Sequence, residues 1–155
     1  MIANNWDEAK EQVNDWKLSG QKIVFTNGCI DILHRGHVEY LTEAKACGDK
    51  LVTALNSDSS VRSLKGEARP IQSQEDRAVI LDALESVDLV VIFDQETPAK
   101  IIKTLLPNVL VKGGDYTPDT IVGADIVTEN GGEVKVIPFR SGQSTSGIVE
   151  KIIKL

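Results

Sequence analysis

Residues 22–37 read KIVFTNGCIDILHRGH, and the way this stretch divides decides the fold. Lys22 to Thr26 is a β-rich apolar run of strand length. A turn follows with no hairpin signal, and helical periodicity then runs from Gly36 to Cys47. The same strand–turn–helix grammar recurs along the chain. Strands are expected at Leu51–Leu55, Leu89–Phe93, Val109–Val111 and Glu133–Ile137. Helices are expected over Gln74–Leu84, from Thr97-Pro98 to just before Pro107, near Ile121–Thr128, and from about Thr145 to Ile153. Thr97 reads as a capping hydroxyl ahead of a proline at the first helical position. The segment from Asn56 to Ser73 is polar, and Gly66 and Pro70 make its second half irregular.

Strands that alternate with helices imply parallel βαβ crossovers, and continuously apolar strands imply a sheet covered on both faces. The expected fold is α/β: a single Rossmann-like doubly wound domain whose five-stranded parallel sheet is flanked by helices. It spans residues 1–155, with an N-terminal helix at about 5–18 and a core from about 22 to 155. Trp6, Val13, Trp16 and Leu18 give that first helix an apolar stripe, suited to packing or to a subunit contact, so a homodimer is open. Ligands of such sheets bind beyond the C-terminal ends of the strands, at the topological switch point.

Composition narrows the function. A chain of 155 residues buries about 70% of its unfolded surface, so it needs no disulfide or structural metal. Cys29 and Cys47 form no disulfide framework, and Asp7, Glu8 and Glu11 stand where an export signal would be apolar; a cytoplasmic location is expected. Runs such as Leu89–Phe93 fall far short of the roughly 20 residues of a membrane helix. A net charge of −6 argues against nucleic acid as a partner, since phosphate neutralisation is the main source of that affinity. A small phosphorylated ligand held by a local cluster of cations and N–H groups remains compatible.

The turn after the first strand supplies such a cluster. Gly28 permits a tight turn, and His34 and His37 stand three apart where a helix begins. Helix-start N–H groups and the helix dipole favour an anion there, and Gly36 leaves room between the imidazoles. A metal site would need further ligands, because these are the only two histidines; one of the pair could also be purely structural. Neither the dinucleotide fingerprint nor a Walker A sequence is present.

The string GCIDILHRGH at residues 28–37 resembles the G-x-F-D-x-x-H-x-G-H signature of the cytidylyltransferase-like nucleotidyltransferases. The likeness covers nearly the whole chain, which is similar in detail to the adenylyltransferase domains of the bacterial bifunctional ADP-heptose synthases. It is carried by Phe25–Cys29, Leu64-Lys65-Gly66 with Arg69-Pro70, Glu75–Ala78, Ser144-Thr145-Ser146 and above all Lys112-Gly113-Gly114-Asp115-Tyr116. Ile30 replaces the usual Phe, and the segment at Ser144 lacks the trailing Arg of many relatives.

The resemblance implies transfer of AMP from ATP to D-glycero-β-D-manno-heptose 1-phosphate, giving ADP-heptose and pyrophosphate for the lipopolysaccharide core. It implies His34, His37 and Lys65 as catalytic. Thr26, Asn27, Gly28, Cys29, Ile30, Gly36, Arg140, Ser144 and Thr145 would hold the nucleotide. Asp31, Arg69, Lys112, Gly114 and Asp115 would hold the acceptor, with Asp115 suited to accept hydrogen bonds from sugar hydroxyls. Mg²⁺ would arrive on the ATP phosphates and not on protein ligands. Two alternatives stand beside this: a cytidylyltransferase acting on glycerol 3-phosphate or another small phosphorylated alcohol, and a nucleotide-binding regulatory module without turnover. Arg77 is either an intrahelical partner of the acidic helix start or a site residue.

Overall fold

The structure, a computed structural model, describes residues 1–138 and 142–155. Five strands, β1 (Ile23–Gly28), β2 (Lys50–Asn56), β3 (Leu89–Phe93), β4 (Val109–Gly113) and β5 (Glu133–Ile137), form one parallel sheet in the order β3-β2-β1-β4-β5. The helices are α1 (Trp6–Leu18), α2 (Arg35–Lys45), α3 (Asp58–Lys65), α4 (Gln74–Asp82), α5 (Ala99–Leu105), α6 (Ala124–Glu129) and α7 (Thr145–Ile153). The α/β Rossmann-like architecture read from the sequence is the one observed.

Strand side chains divide between two cores with the two-residue period of a pleated sheet. Ile23, Phe25, Val52, Ala54, Leu89, Val91 and Leu110 pack with α1, α5 and α6 through Val13, Ile101, Ile102, Leu105 and Val127. Val24, Leu51, Leu55, Val90, Val109 and Val111 pack on the other face with Leu41 and Ala44 of α2 and Ala78 and Leu81 of α4. Each such side chain contributes about 1.5–3 kcal/mol of transfer free energy, which makes the sheet a rigid platform. Trp6 and Trp16 pack against the first core, and the Trp6 indole donates to the Ile92 carbonyl at 2.9 Å. Trp6, Val13 and Trp16 of the α1 stripe are therefore used within the chain, while Leu18 is exposed. Among the described residues no helix is long and apolar enough to cross a membrane.

Two local expectations are corrected, and one turn residue is added. Asp58–Lys65 is helical, headed by the Ser57 hydroxyl, which accepts from the Ser60 N–H at 3.2 Å, so Lys65 ends a helix and does not lie in a loop. Thr97 does not cap α5: Pro98 holds the cap position without a side-chain hydrogen bond. The turn after β1 takes its left-handed step at Ile30, with φ 44°. A β-branched residue is strained there by about 1–3 kcal/mol, so its surroundings must hold it.

The strand order places the switch point between β1 and β4. These strands pair only at Val24–Val109 and Phe25–Leu110. Beyond them β1 stays paired with β2 through Gly28, and β4 with β5 through Gly113. The sheet thus splits at its C-terminal edge. Tyr40 of α2 spans the start of the split, its hydroxyl sharing a 2.6 Å hydrogen bond with the Thr26 hydroxyl and donating to the Val111 carbonyl at 3.3 Å. Burial raises that phenol to about 12, so it stays protonated and serves as a strut.

Candidate active site

A cleft of about 770 Å³ opens where the sheet splits. Its floor is the turn from Thr26 to Asp31, one wall is the start of α2 with His34, Gly36 and His37, and the opposite wall holds Lys112, Gly113 and Tyr116. Lys65 and Arg69 reach its rim, and Gln143 to Ser146 at the head of α7 close a further side. A second cleft of about 520 Å³ adjoins it, sharing Asn27, Gly28, Cys29, Lys65, Lys112 and Tyr116 and continuing to Asn56, Glu96, Thr97 and Thr120.

His34 is the cap residue of α2, with extended backbone, and His37 lies one turn on. Their rings stack at 3.8 Å between centroids with 22° between planes. The Nδ1 of His37 accepts the His34 backbone N–H at 3.3 Å, which fixes the proton of the neutral ring on Nε2. Burial, then the charges of His34 and Lys65, lower His37 from 6.5 to about 4, and burial lowers His34 as well. Both rings are therefore neutral donors in the ligand-free protein at pH 7. The His34 Nδ1 is buried against the first turn of α2, facing the His37 backbone N–H, which leaves Nε2 as the nitrogen of this ring that can meet a ligand.

Gly36 has a steric reason to be glycine. A Cβ there would lie 2.8 Å from His34 Cε1 and 3.0 Å from Gln143 Cβ. The first turn of α2 carries no acidic side chain, so its dipole and N–H groups face the cleft uncompensated. The head of α7 points to the same place: Ser144 caps it by accepting from the Gly147 N–H at 3.0 Å, and the Thr145 hydroxyl donates to the Ile32 carbonyl at 3.3 Å. Among the described residues the Ser144 O–H has no acceptor, whereas the Thr145 proton is engaged.

The acceptor residues read from sequence separate. Lys112 is half-buried, its ammonium 5.6 Å from the Tyr116 ring centroid, and burial lowers its pKa. Gly114 and Asp115 do not line either cleft; Gly113 and Tyr116 do. Asp31 lines the cleft but its carboxylate is turned to structure. It accepts the Ile71 N–H at 2.8 Å and the Gln72 N–H at 2.9 Å, and lies 3.6 Å from Arg69. Its role is to moor the segment that carries Arg69. Arg140 lies outside the described residues. Sequence reasoning passed over Tyr40 and Gln143, neither of which belongs to the motif that drew attention to the site.

Among the described residues no cluster of three His, Cys, Asp or Glu side chains can hold a metal ion. The donor set suits only a hard cation that brings most of its own oxygen ligands, as Mg²⁺ on a polyphosphate does.

A protonation consequence follows. Between pH 6.5 and about 4 the unfolded chain binds a proton at residue 37 that the folded chain refuses, so stability falls as pH drops through that window. Urea titrations at pH 7 and pH 5 are expected to show the loss, and His37→Asn to reduce it. An unchanged pH difference in the variant would contradict a buried neutral imidazole.

A parallel sheet split over a cleft of about 770 Å³, with paired histidines at a helix start, is in this chain the site of a nucleotidyltransferase enzyme, a class carried by its family and its relatives. Residues 25–151 match the family described as cytidylyltransferase-like, and the chain belongs to that family. It is 58% identical over 146 residues to the bifunctional protein HldE of Wolinella succinogenes, covering 94% of this chain and 30% of the relative. To that of Geobacter metallireducens it is 57% identical over 138 residues, covering 89% and 28%. The chain thus spans about three tenths of the length of these curated relatives. Among solved structures, the lipopolysaccharide core biosynthesis protein of Thermoplasma volcanium GSS1 superposes with a TM-score of 0.63 at 26% identity, covering 80% of this chain and 100% of that one. The pantoate-β-alanine ligase of Francisella tularensis, at 16% identity and a TM-score of 0.64 over 100% of this chain and 78% of its own, shares the fold alone.

Proposed function

We propose that this chain transfers AMP from ATP to a sugar 1-phosphate, D-glycero-β-D-manno-heptose 1-phosphate, releasing pyrophosphate. The observation that carries the reading is the convergence of two stacked, neutral imidazoles and two helix starts on one cleft between β1 and β4. The sugar is supported by the Lys112–Tyr116 resemblance and by likeness to proteins named HldE and to one named for lipopolysaccharide core biosynthesis.

In this reading the triphosphate lies over the turn from Thr26 to Ile30 and the head of α2. The acceptor occupies the adjoining smaller cleft, whose Asn56, Thr97 and Thr120 suit a polyhydroxylated molecule. An acceptor phosphate oxygen attacks the α-phosphorus in line, and the bond from that phosphorus to the pyrophosphate oxygen breaks. A sugar phosphate is ionised at neutral pH, so no general base is required and catalysis is positioning plus charge stabilisation. The Nε2–H of His37 and the ring of His34 donate to oxygens that gain charge as pyrophosphate leaves. Lys65 and Lys112, which border both clefts, neutralise phosphates where the two substrates meet. Mg²⁺ carried by ATP would supply further charge neutralisation on the triphosphate. ATP as donor fits a cytoplasmic location.

Pyrophosphate release tests the reading directly. Turnover is expected with ATP and heptose 1-phosphate, and not with CTP and glycerol 3-phosphate. The reverse pattern would assign a cytidylyltransferase, and tight ATP binding with no release for any acceptor would assign a regulatory module.

A further inference from the structure

Arg77, on the second turn of α4, has a guanidinium with 0% side-chain exposure. Burying a cation is costly unless every donor is matched, and a well-packed apolar replacement is often as stable. Its partners show what the buried charge accomplishes. Nε donates to the Gln72 carbonyl at 3.0 Å, and Nη2 to Asp58 Oδ1 at 2.8 Å. Nη1 donates to the Cys29 carbonyl at 2.7 Å and the Asn56 carbonyl at 2.9 Å. Only one partner is a countercharge; three are backbone carbonyls from the turn after β1, the end of β2 and the segment before α4. The residue is neither an intrahelical partner nor a ligand contact, the two roles open from sequence.

The Cys29 carbonyl belongs to the peptide that leads into the strained Ile30. In a trans peptide the C=O and N–H point in opposite directions. A carbonyl drawn onto Arg77 therefore turns the Ile30 N–H away from α4, at the floor of the cleft that Cys29 and Ile30 line. Among the described residues that N–H has no acceptor. We infer that Arg77 is a positioning residue for the transfer reaction: through the Cys29 carbonyl it aims the Ile30 N–H at a substrate phosphate and holds the left-handed turn in place. This rests on the nucleotidyl-transfer reading and adds to it a residue that touches no substrate.

Lysine keeps the charge but cannot span four acceptors in three directions. Arg77→Lys is expected to lower kcat by about thirtyfold or more, with KM for ATP within about threefold, because a donor misaimed by about an ångström weakens the transition state more than the ground state. Asp58→Asn removes the countercharge and leaves the carbonyl bonds. It is expected to lower Tm while kcat stays within about threefold of wild type. The direct readout is the ¹H–¹⁵N resonance of the Ile30 amide, which is expected to move downfield on adding a non-hydrolysable ATP analogue to wild type and not to Arg77→Lys. A lysine variant with near-normal kcat would overturn the inference, as would loss of kcat in Asp58→Asn in proportion to its loss of Tm. If the lysine variant does not fold, an Ile30 amide in wild type that ignores the analogue overturns it. Absence of pyrophosphate release in wild type with an amide that still responds would overturn the transfer reading instead, and leave the aiming role standing.

Discussion

His37→Ala is expected to lower turnover by at least about a hundredfold while the protein stays folded. The Nε2–H of this ring is a preorganised donor whose tautomer is fixed by the His34 backbone N–H. Removing one such donor from a site that stabilises developing negative charge costs about 10²–10³ in rate. The ring lies at the start of α2, half-buried and outside the two apolar cores, so the sheet and its packing are expected to survive its loss. The substitution also removes the stacking partner of His34, whose ring then loses its fixed orientation. Steady-state kinetics beside circular dichroism checks this; near-normal kcat in a folded variant would remove the histidine from the mechanism.

Gly36→Ala is expected to have a nearly comparable effect for the opposite reason, by adding atoms. Alanine is the better helix former by about 1 kcal/mol, so the variant should be at least as stable as wild type. Its methyl, however, would stand 2.8 Å from the edge of the His34 ring and 3.0 Å from Gln143. The imidazole is a side-chain end that rotates away more readily than backbone moves, and its rotation breaks the stacked pair. A catalytic group displaced by about an ångström loses roughly a hundredfold in rate. A thermal melt together with kcat tests the pair of outcomes. Equal or higher Tm with strongly reduced turnover is expected, and full activity would show that the space beside His34 does not matter.

The sequence and the structure agree most closely where burial dictates residue type. The strands are continuous apolar runs because both sheet faces are covered, and their period-two division between the cores makes the doubly wound arrangement legible. α3 was missed because it is short and mostly polar, with only Ser60 and Val61 of its eight residues buried; the Ser57 cap and the i, i+3 pair Val61 and Leu64 were its signals. The left-handed step at Ile30 was not legible because composition favours glycine for a positive φ, whereas packing and the Arg77–Cys29 bond hold a β-branched residue there. Asp31 shows the limit at the site itself. A motif places a carboxylate near the phosphates, but only the fold reveals that backbone N–H groups from Ile71 and Gln72 already claim it. Arg77 escaped for the same reason, since its acceptors are carbonyls from segments distant in sequence.

The measurement that bears most directly on the whole account is the structure of the protein crystallised with a non-hydrolysable ATP analogue. The triphosphate is expected in the split between β1 and β4, with His34 and His37 within hydrogen-bond distance of its oxygens and the Ile30 N–H pointing at one of them. A triphosphate bound elsewhere, with both imidazoles directed away from any phosphorus, would contradict it.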